Sequence, residues 1–271
     1  MRKLPLMLSI LILAYIQIPL AHAAHHKNAA LTAAIAGDHR SEKNKARDVY
    51  RRPAETLRFL GITNGMTVIE SWPGGGWYTE ILAPYLKGNG QLIAATYDRN
   101  PDSQKSWMKR LNQNFNDKFV AHPETYGDIT VVGLLPSDKP ELAPPGSVDA
   151  ILDFRNAHNW IKTEADSIIL AWHKALKPGG IVGLVDHRMD DDKEYNPDIG
   201  YVHEKQIIDL MAKHGFKLEA RSDLNRNPKD TKDHPSGVWT LPPTLALKEQ
   251  DRDKYLAIGE SDRMVLKFVK S

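Results

Sequence analysis

Three stretches of this chain carry residue types whose spacing suits chemistry. The first is Val68-Ile69-Glu70-Ser71-Trp72-Pro73-Gly74-Gly75-Gly76-Trp77, an apolar run that ends on a carboxylate and passes through three glycines. Backbone N–H groups in such a turn can approach a nucleotide-like ligand, and a helix opening behind it aims further donors the same way. The second is Asp153-Phe154-Arg155-Asn156-Ala157-His158-Asn159-Trp160, the densest polar group in the sequence. An imidazole such as His158, with an ordinary pKa of about 6.5, can take a proton from a hydroxyl or amine. The third is Asp186-His187-Arg188, directly behind another apolar run.

All three fall where strands give way to loops. Val68–Glu70 reads as a strand and Trp77–Leu86 as the helix after it, stopped by Gly88-Asn89-Gly90. A second strand, Gln91–Tyr97, ends at Asp98, and Pro101 opens a helix that runs to Phe115. Ile129–Leu135 is a third strand, residues 136–146 a proline-rich loop and Val148–Phe154 a fourth strand. Glu164–Leu176 has the apolar stripe of a core-facing helix. Lys177-Pro178-Gly179-Gly180 is a turn, and Ile181–Val185 a continuous apolar strand of the kind buried in parallel sheets. Tyr201–His214 reads as a helix. Two late strands, Phe216–Arg221 and Met264–Val269, flank a polar insertion over residues 222–262, within which Pro243–Ile258 can be helical.

Ahead of the first strand, residues 24–60 read as short helical pieces over Asn28–Gly37, Ser41–Tyr50 and Pro53–Leu60. Arg47, Arg51 and Arg52 crowd this segment, either as a solvated charged face or as a lid over the glycine turn. Glu70 has two readings, as a ligand-facing carboxylate or as the buried partner of Arg47 or Arg51. Five strand–helix alternations predict an α/β fold with a doubly wound, mostly parallel sheet, in one domain over residues 24–271. Ligands of such sheets bind off the carboxyl ends of the strands, so the loops after Glu70, Asp98, Phe154 and Val185 should share one cleft.

Composition narrows the function classes. With 271 residues, 41% hydrophobic, 26% charged and a net charge of +2, the chain gives no reason to expect nucleic acid as a partner. Met1-Arg2-Lys3, the apolar run Leu4–Leu20 and Ala21-His22-Ala23 form the pattern of a secretory signal peptide over residues 1–23. Cleavage after Ala23 would leave a periplasmic or secreted protein without a membrane anchor. The absence of cysteine excludes disulfides, thiolate metal sites and a cysteine nucleophile. His158, Asp186, His187, His203 and His234 lack metal-ligand spacing, and Asp190-Asp191-Asp192 lacks the glycine and glutamate of a calcium loop, so no metal is expected.

The spacing Glu70-x-x-x-Gly74-x-Gly76, at a strand end and opening a helix, resembles the first motif of class I S-adenosylmethionine-dependent methyltransferases. Leu176-Lys177-Pro178-Gly179-Gly180-Ile181-Val182 is similar to the turn before the fifth strand in many members, and Gly215-Phe216 near the end fits the same order. The Pro73-to-Thr79 form together with a signal peptide resembles a family of predicted exported methyltransferases. The resemblance implies a Rossmann-like seven-stranded sheet with the last strand antiparallel. It implies S-adenosylmethionine as methyl donor and a small-molecule acceptor. Donor contacts would come from Glu70, Gly74, Gly75, Gly76, Asp98, Asp153 and Asn156, and His158 or His187 would assist deprotonation of the acceptor. Trp160 would wall the pocket, and Trp77, Tyr78 or Tyr97 could cradle the adenine or the sulfonium. Two positions depart from the pattern: Trp72 stands where the motif has its first glycine, and the usual acidic position falls on Thr96, two residues before Asp98.

Two other readings stand beside this one. A bulky Trp72 in donor space would make the chain a non-catalytic periplasmic small-molecule-binding protein on the same fold. A dinucleotide-dependent oxidoreductase is disfavoured, because the turn lacks the first and third glycines of the G-x-G-x-x-G spacing.

Overall fold

The computed structural model describes residues 29–100, 102, 104–135 and 141–271. The signal-peptide expectation over residues 1–23 lies outside them. Eight strands form one sheet: β1 Thr67–Ser71, β2 Gln91–Tyr97, β3 Ile129–Leu135, β4 Val148–Phe154, β5 Leu176–Met189, β6 Val202–His203, β7 Phe216–Ser222 and β8 Arg263–Lys270. The spatial order is β3-β2-β1-β4-β5-β8-β7, with the two-residue β6 paired to β5 off this path. Strands β1 to β5 pair in parallel, whereas β8 runs antiparallel to both β5 and β7. Seven strands on the main path with an antiparallel last strand are what the sequence implies; β6 is an addition.

The apolar runs are strands because both faces of the sheet are covered. Along β4, Ile151 packs with Trp160, Ile168 and Trp172 in one core, while its neighbours Ala150 and Leu152 pack with Leu57, Leu60 and Ile81 in the other. All of these residues are at most 1% exposed, so a polar substitution at any of them would strand an unpaired group.

Several boundaries shift from the sequence reading. Ser41–Tyr50 breaks into two single turns, Glu42–Lys45, capped by Ser41 Oγ accepting from Asn44 N, and Asp48–Arg51. Arg52 turns left-handed at φ 40°, and Pro53 then opens the helix Pro53–Leu60. The helix after β1 begins at Thr79 rather than Trp77; the one after β2 covers Ser106–Phe115, and Pro101, expected to open it, lies outside the described residues. Tyr201–His214 yields its first residues to β6, so that helix covers Glu204–Lys213. Lys177–Gly180 is a bulge inside β5: the register passes from Val148↔Leu176 to Ala150↔Ile181 across it. Within the insertion, only Arg252–Ile258 of the expected helix forms.

The antiparallel β8 determines what reaches the cleft. Its register sets Met264 beside Asp186 and Arg263 beside His187. The last residues of the insertion, Glu260 to Asp262, therefore arrive at the same sheet edge as the loops after β1, β4 and β5.

Glu70, in β1, is 2% exposed, and its Oε2 accepts a 2.6 Å hydrogen bond from Thr79 Oγ1 at the head of the next helix. Burial raises its pKa from 4.5 to about 7, with the Thr79 bond opposing. A carboxyl held above its unfolded value favours folding when protonated and costs stability as the pH rises through the folded value. Glu70→Gln removes that cost. Its stability relative to the wild type should rise between pH 4.5 and about 7 and then level off, by roughly 3 kcal/mol in all. Denaturant unfolding across this window checks it, and a pH-independent difference contradicts it.

Candidate functional site

A cavity of about 280 Å³ opens at the carboxyl edge of the sheet. β1 supplies Glu70 and the loop after it Trp72, Gly74 and Gly75; the segment after β4 supplies Arg155, Asn156 and His158; β5 supplies His187. Arg47 and Arg51 cover it from the N-terminal segment, and Trp239 from the insertion. The lid reading of the arginine-rich segment thus has a geometric basis.

His158 and Asp186 form the chemical centre. His158 Nδ1 lies 2.9 Å from Asp186 Oδ1, and the His158 backbone N–H donates to Asp186 Oδ2 at 2.9 Å. The His187 backbone N–H donates to Asp186 Oδ1 at 2.7 Å. Asp186 is fully buried, so its carboxylate is satisfied by these donors instead of water. A carboxylate accepts, which assigns the proton to His158 Nδ1 and leaves the Nε2 lone pair without a partner among the described residues. This is the geometry of a general base oriented by a buried acid.

His187 is placed differently. Its Nε2 accepts from Arg155 Nε at 3.3 Å, and a guanidinium can only donate, so the ring proton sits on Nδ1, 2.5 Å from Ser261 Oγ. Burial first, and the Arg155 charge second, hold its pKa well below the ordinary histidine value. Both nitrogens are engaged and the ring is neutral, so His187 has no free position from which to take a proton. His158, Asp186 and His187 also form the one group among the described residues whose ligand atoms lie within 4.8 Å of one another. Asp186 and both nitrogens of His187 are committed to hydrogen bonds, and Arg155 faces His187 Nε2; a cation there would meet a guanidinium. The set does not suit a metal.

The residues expected on the donor side divide. Gly74 and Gly75 are exposed, and a Cβ on either would meet nothing within 4 Å, so the turn offers open backbone. Gly76 is turned inward at φ +76°, under Phe119, 2.2 Å from where its Cβ would stand. Asn156 lines the cavity and its Nδ2 donates to Ser71 O and Asp153 Oδ1, tying the β4 loop to the β1 loop. Asp153 itself is fully buried, accepting from Asn156 and from Trp160 Nε1 at 3.1 Å. Burial and the nearby Asp186 raise its pKa to about 7. Trp160 belongs to the core beside Trp172 and does not line the cavity. Asp98 Oδ1 accepts from Asn100 N within its own loop, and Asp98 does not line the cavity. Gly76, Asp98 and Asp153 are therefore not brought to the cleft.

Trp72 has a left-handed backbone, φ 47°, the conformation for which glycine is suited. Its ring lies against Tyr97, centroids 5.4 Å apart, and Tyr97 meets Trp107 at 4.9 Å. Between Trp72, Tyr97, Leu111 and Phe115 only about 10 Å³ remains open. Trp72 Nε1 is buried without a hydrogen-bond partner.

Glu70 pairs with neither arginine. Arg47 Nε and Arg51 Nε reach Glu260 at 2.6 and 3.2 Å, and Arg263 Nη2 reaches the same carboxylate at 3.0 Å. Their charges hold Glu260 near pKa 2 against the effect of its burial. Asp186 and Arg155 belong to polar stretches visible in the sequence, but nothing there shows that Asp186 orients His158. Glu260, Ser261 and Trp239 lie in the insertion without any local signal.

No protein-family model matches the sequence, and no curated protein matches it. Solved structures do. The chain is similar to a SAM-dependent methyltransferase from Aquifex aeolicus, with TM-score 0.54 and 15% identity, over 83% of this chain and 93% of that one. It is similar to a putative sarcosine dimethylglycine methyltransferase from Galdieria sulphuraria, with TM-score 0.54 and 14% identity, over 84% and 86%. It is also similar to the cyclase SpnF, with TM-score 0.55 and 13% identity, over 92% and 94%. At such identities the likeness is one of fold, and the sheet order agrees: this chain has the class I methyltransferase fold.

Proposed function

We propose that this protein is an exported S-adenosylmethionine-dependent methyltransferase acting on a small molecule. The observation that carries the reading is the placement of an open glycine turn and a His158–Asp186 pair in one cleft at the carboxyl edge of this fold. The reading is supported by structures of the same fold that are SAM-dependent methyltransferases, one of them, a phosphoethanolamine N-methyltransferase from Haemonchus contortus, in complex with S-adenosyl-L-methionine. Export rests on the pattern of residues 1–23.

The residues present fit the donor at one end. Gly74 and Gly75 offer unobstructed backbone beside Glu70, and Asn156 holds the turn in place. S-adenosylmethionine supplies an electrophilic methyl group when bound. At the other end, Trp72 must leave Tyr97 before an adenosine could be received. One feature lowers the cost of that displacement: the unpartnered Trp72 Nε1 already costs about 1–3 kcal/mol where it is. The chain's own contribution to chemistry is then the removal of a proton from the acceptor by His158 Nε2. Asp186 fixes the tautomer and compensates the charge that develops on the ring.

A second reading, a non-catalytic binding protein, is favoured by the closed state of that same Trp72–Tyr97 contact. The likeness to a cyclase is a reminder that the fold alone does not choose the reaction.

Calorimetric titration with S-adenosylmethionine and S-adenosylhomocysteine separates the two. Saturable heat is expected, and Trp72→Gly should tighten donor binding by roughly tenfold or more, the equivalent of one relieved ring contact. No heat from the folded wild type and from Trp72→Gly alike contradicts the transferase reading. Nitrogen-15 NMR of histidine-labelled protein tests the base: His158 should be the Nδ1–H tautomer, and Asp186→Asn should abolish that preference. An Nε2–H tautomer in the wild type rules His158 out as the base.

A further inference from the structure

The geometry points to an anion site: Arg47, Arg51 and Arg155 hold the carboxylate or phosphate head of the small ligand that His158 serves. In naming that ligand as the acceptor, this rests on the transferase reading; the existence of the site does not.

Charge in the cleft is unbalanced. Three guanidinium groups line the cavity, and Glu70 is the one carboxylate that lines it with them. Glu260, behind the wall, is shared among Arg47, Arg51 and Arg263. Arg155 has no carboxylate within ion-pair distance among the described residues, and its Nε is spent on the neutral His187. Burial, with Arg263 next, lowers the pKa of Arg155 to about 10, and burial lowers that of Arg51 as well. Arg47 Nη2 is buried with no hydrogen-bond partner. Arg51 is buried and Arg47 and Arg155 are partly so; desolvated cations in excess of their counter-ions are costly, and an oxyanion that accepts from the free guanidinium N–H groups would offset the cost.

The position of the head follows from Arg155. This residue is held left-handed at φ 66°, directly behind β4, a conformation of the sort that survives where surrounding structure enforces it. Its Nε touches His187, whose ring centroid lies 5.2 Å from that of His158. The cation therefore approaches from the side of the base. Tyr78 stacked on Phe154 at 3.6 Å, with Trp77 and Trp239, gives the remaining wall an aromatic surface. A cavity of about 280 Å³ with such walls suits a compact acid having an apolar or aromatic body.

Trp72, Trp77 and Trp239 line the cavity, so tryptophan emission reports on it. The purified protein is titrated at constant ionic strength with inorganic phosphate and, separately, with benzoate. At least one should saturate, and saturation by phosphate alone or by benzoate alone says which head group is preferred. Arg155→Gln should weaken the response by about tenfold or more, as expected for loss of a charge-assisted hydrogen bond. Saturating S-adenosylhomocysteine should leave the anion affinity in place. If Arg155→Gln does not melt cooperatively, Arg47→Gln, whose side chain is 18% exposed, is read in its place. The site is overturned if neither anion saturates, if a folded arginine variant binds as the wild type does, or if S-adenosylhomocysteine displaces the anion. Anion binding without any S-adenosylhomocysteine binding sinks the transferase reading and leaves the site standing.

Discussion

One buried carboxylate organises the cleft. Asp186 accepts from the backbone and ring of His158 and from the backbone of His187, so it joins the loop after β4 to the end of β5. A fully buried acid without those donors would be strongly unfavourable, and with them it fixes which nitrogen of His158 carries the proton. The same contact decides the difference between two histidines that look equivalent in the sequence. His158 lines the cavity and keeps one nitrogen without a partner among the described residues, whereas His187 is held neutral between Arg155 and Ser261.

A second buried acid, Glu260, plays the corresponding part for the cover. It brings Arg47 and Arg51 from the N-terminal segment onto Arg263 at the head of β8. Because β8 is antiparallel, its first residues lie at the carboxyl edge of β5, and the insertion ends where the cleft begins. Thus the segment ahead of the sheet and the segment before its last strand meet over one cavity. Trp77 helps to seal the join: Arg40 and Arg51 lie over its ring at 5.0 and 4.5 Å, and its Nε1 donates to Asn44 O.

What was legible in the sequence is what local chemistry dictates. The strand ends near Glu70 and at Phe154 could be read because β1 and β4 are apolar runs buried on both faces, whereas β5 continues past the expected end at Val185 to Met189 and so carries Asp186 and His187 itself; the glycine turn, which alone would suit any tight turn, took its meaning from the strand before it. The cavity then gathers Glu70, Gly74, Gly75, Asn156, His158 and His187 as those strand ends imply. Asp98 and Asp153 could not be judged, because a carboxylate that caps its own loop and one that is buried under a tryptophan look the same in one dimension. The arginine cluster was visible as charge, but its partner Glu260 stands 213 and 209 residues away from Arg47 and Arg51, beyond any spacing rule. Trp72 was visible as a departure from glycine. Its contact with Tyr97 depends on how the β1 loop meets the end of β2, which no periodicity encodes.

Donor binding turns on Trp72, and a crystal structure of the protein grown with S-adenosylhomocysteine tests it directly. The product is expected in the cleft, with its adenosine in the space between the glycine turn and Tyr97 and the Trp72 ring moved off Tyr97. A Trp72 ring still packed on Tyr97, with no product bound under saturating conditions, would contradict it.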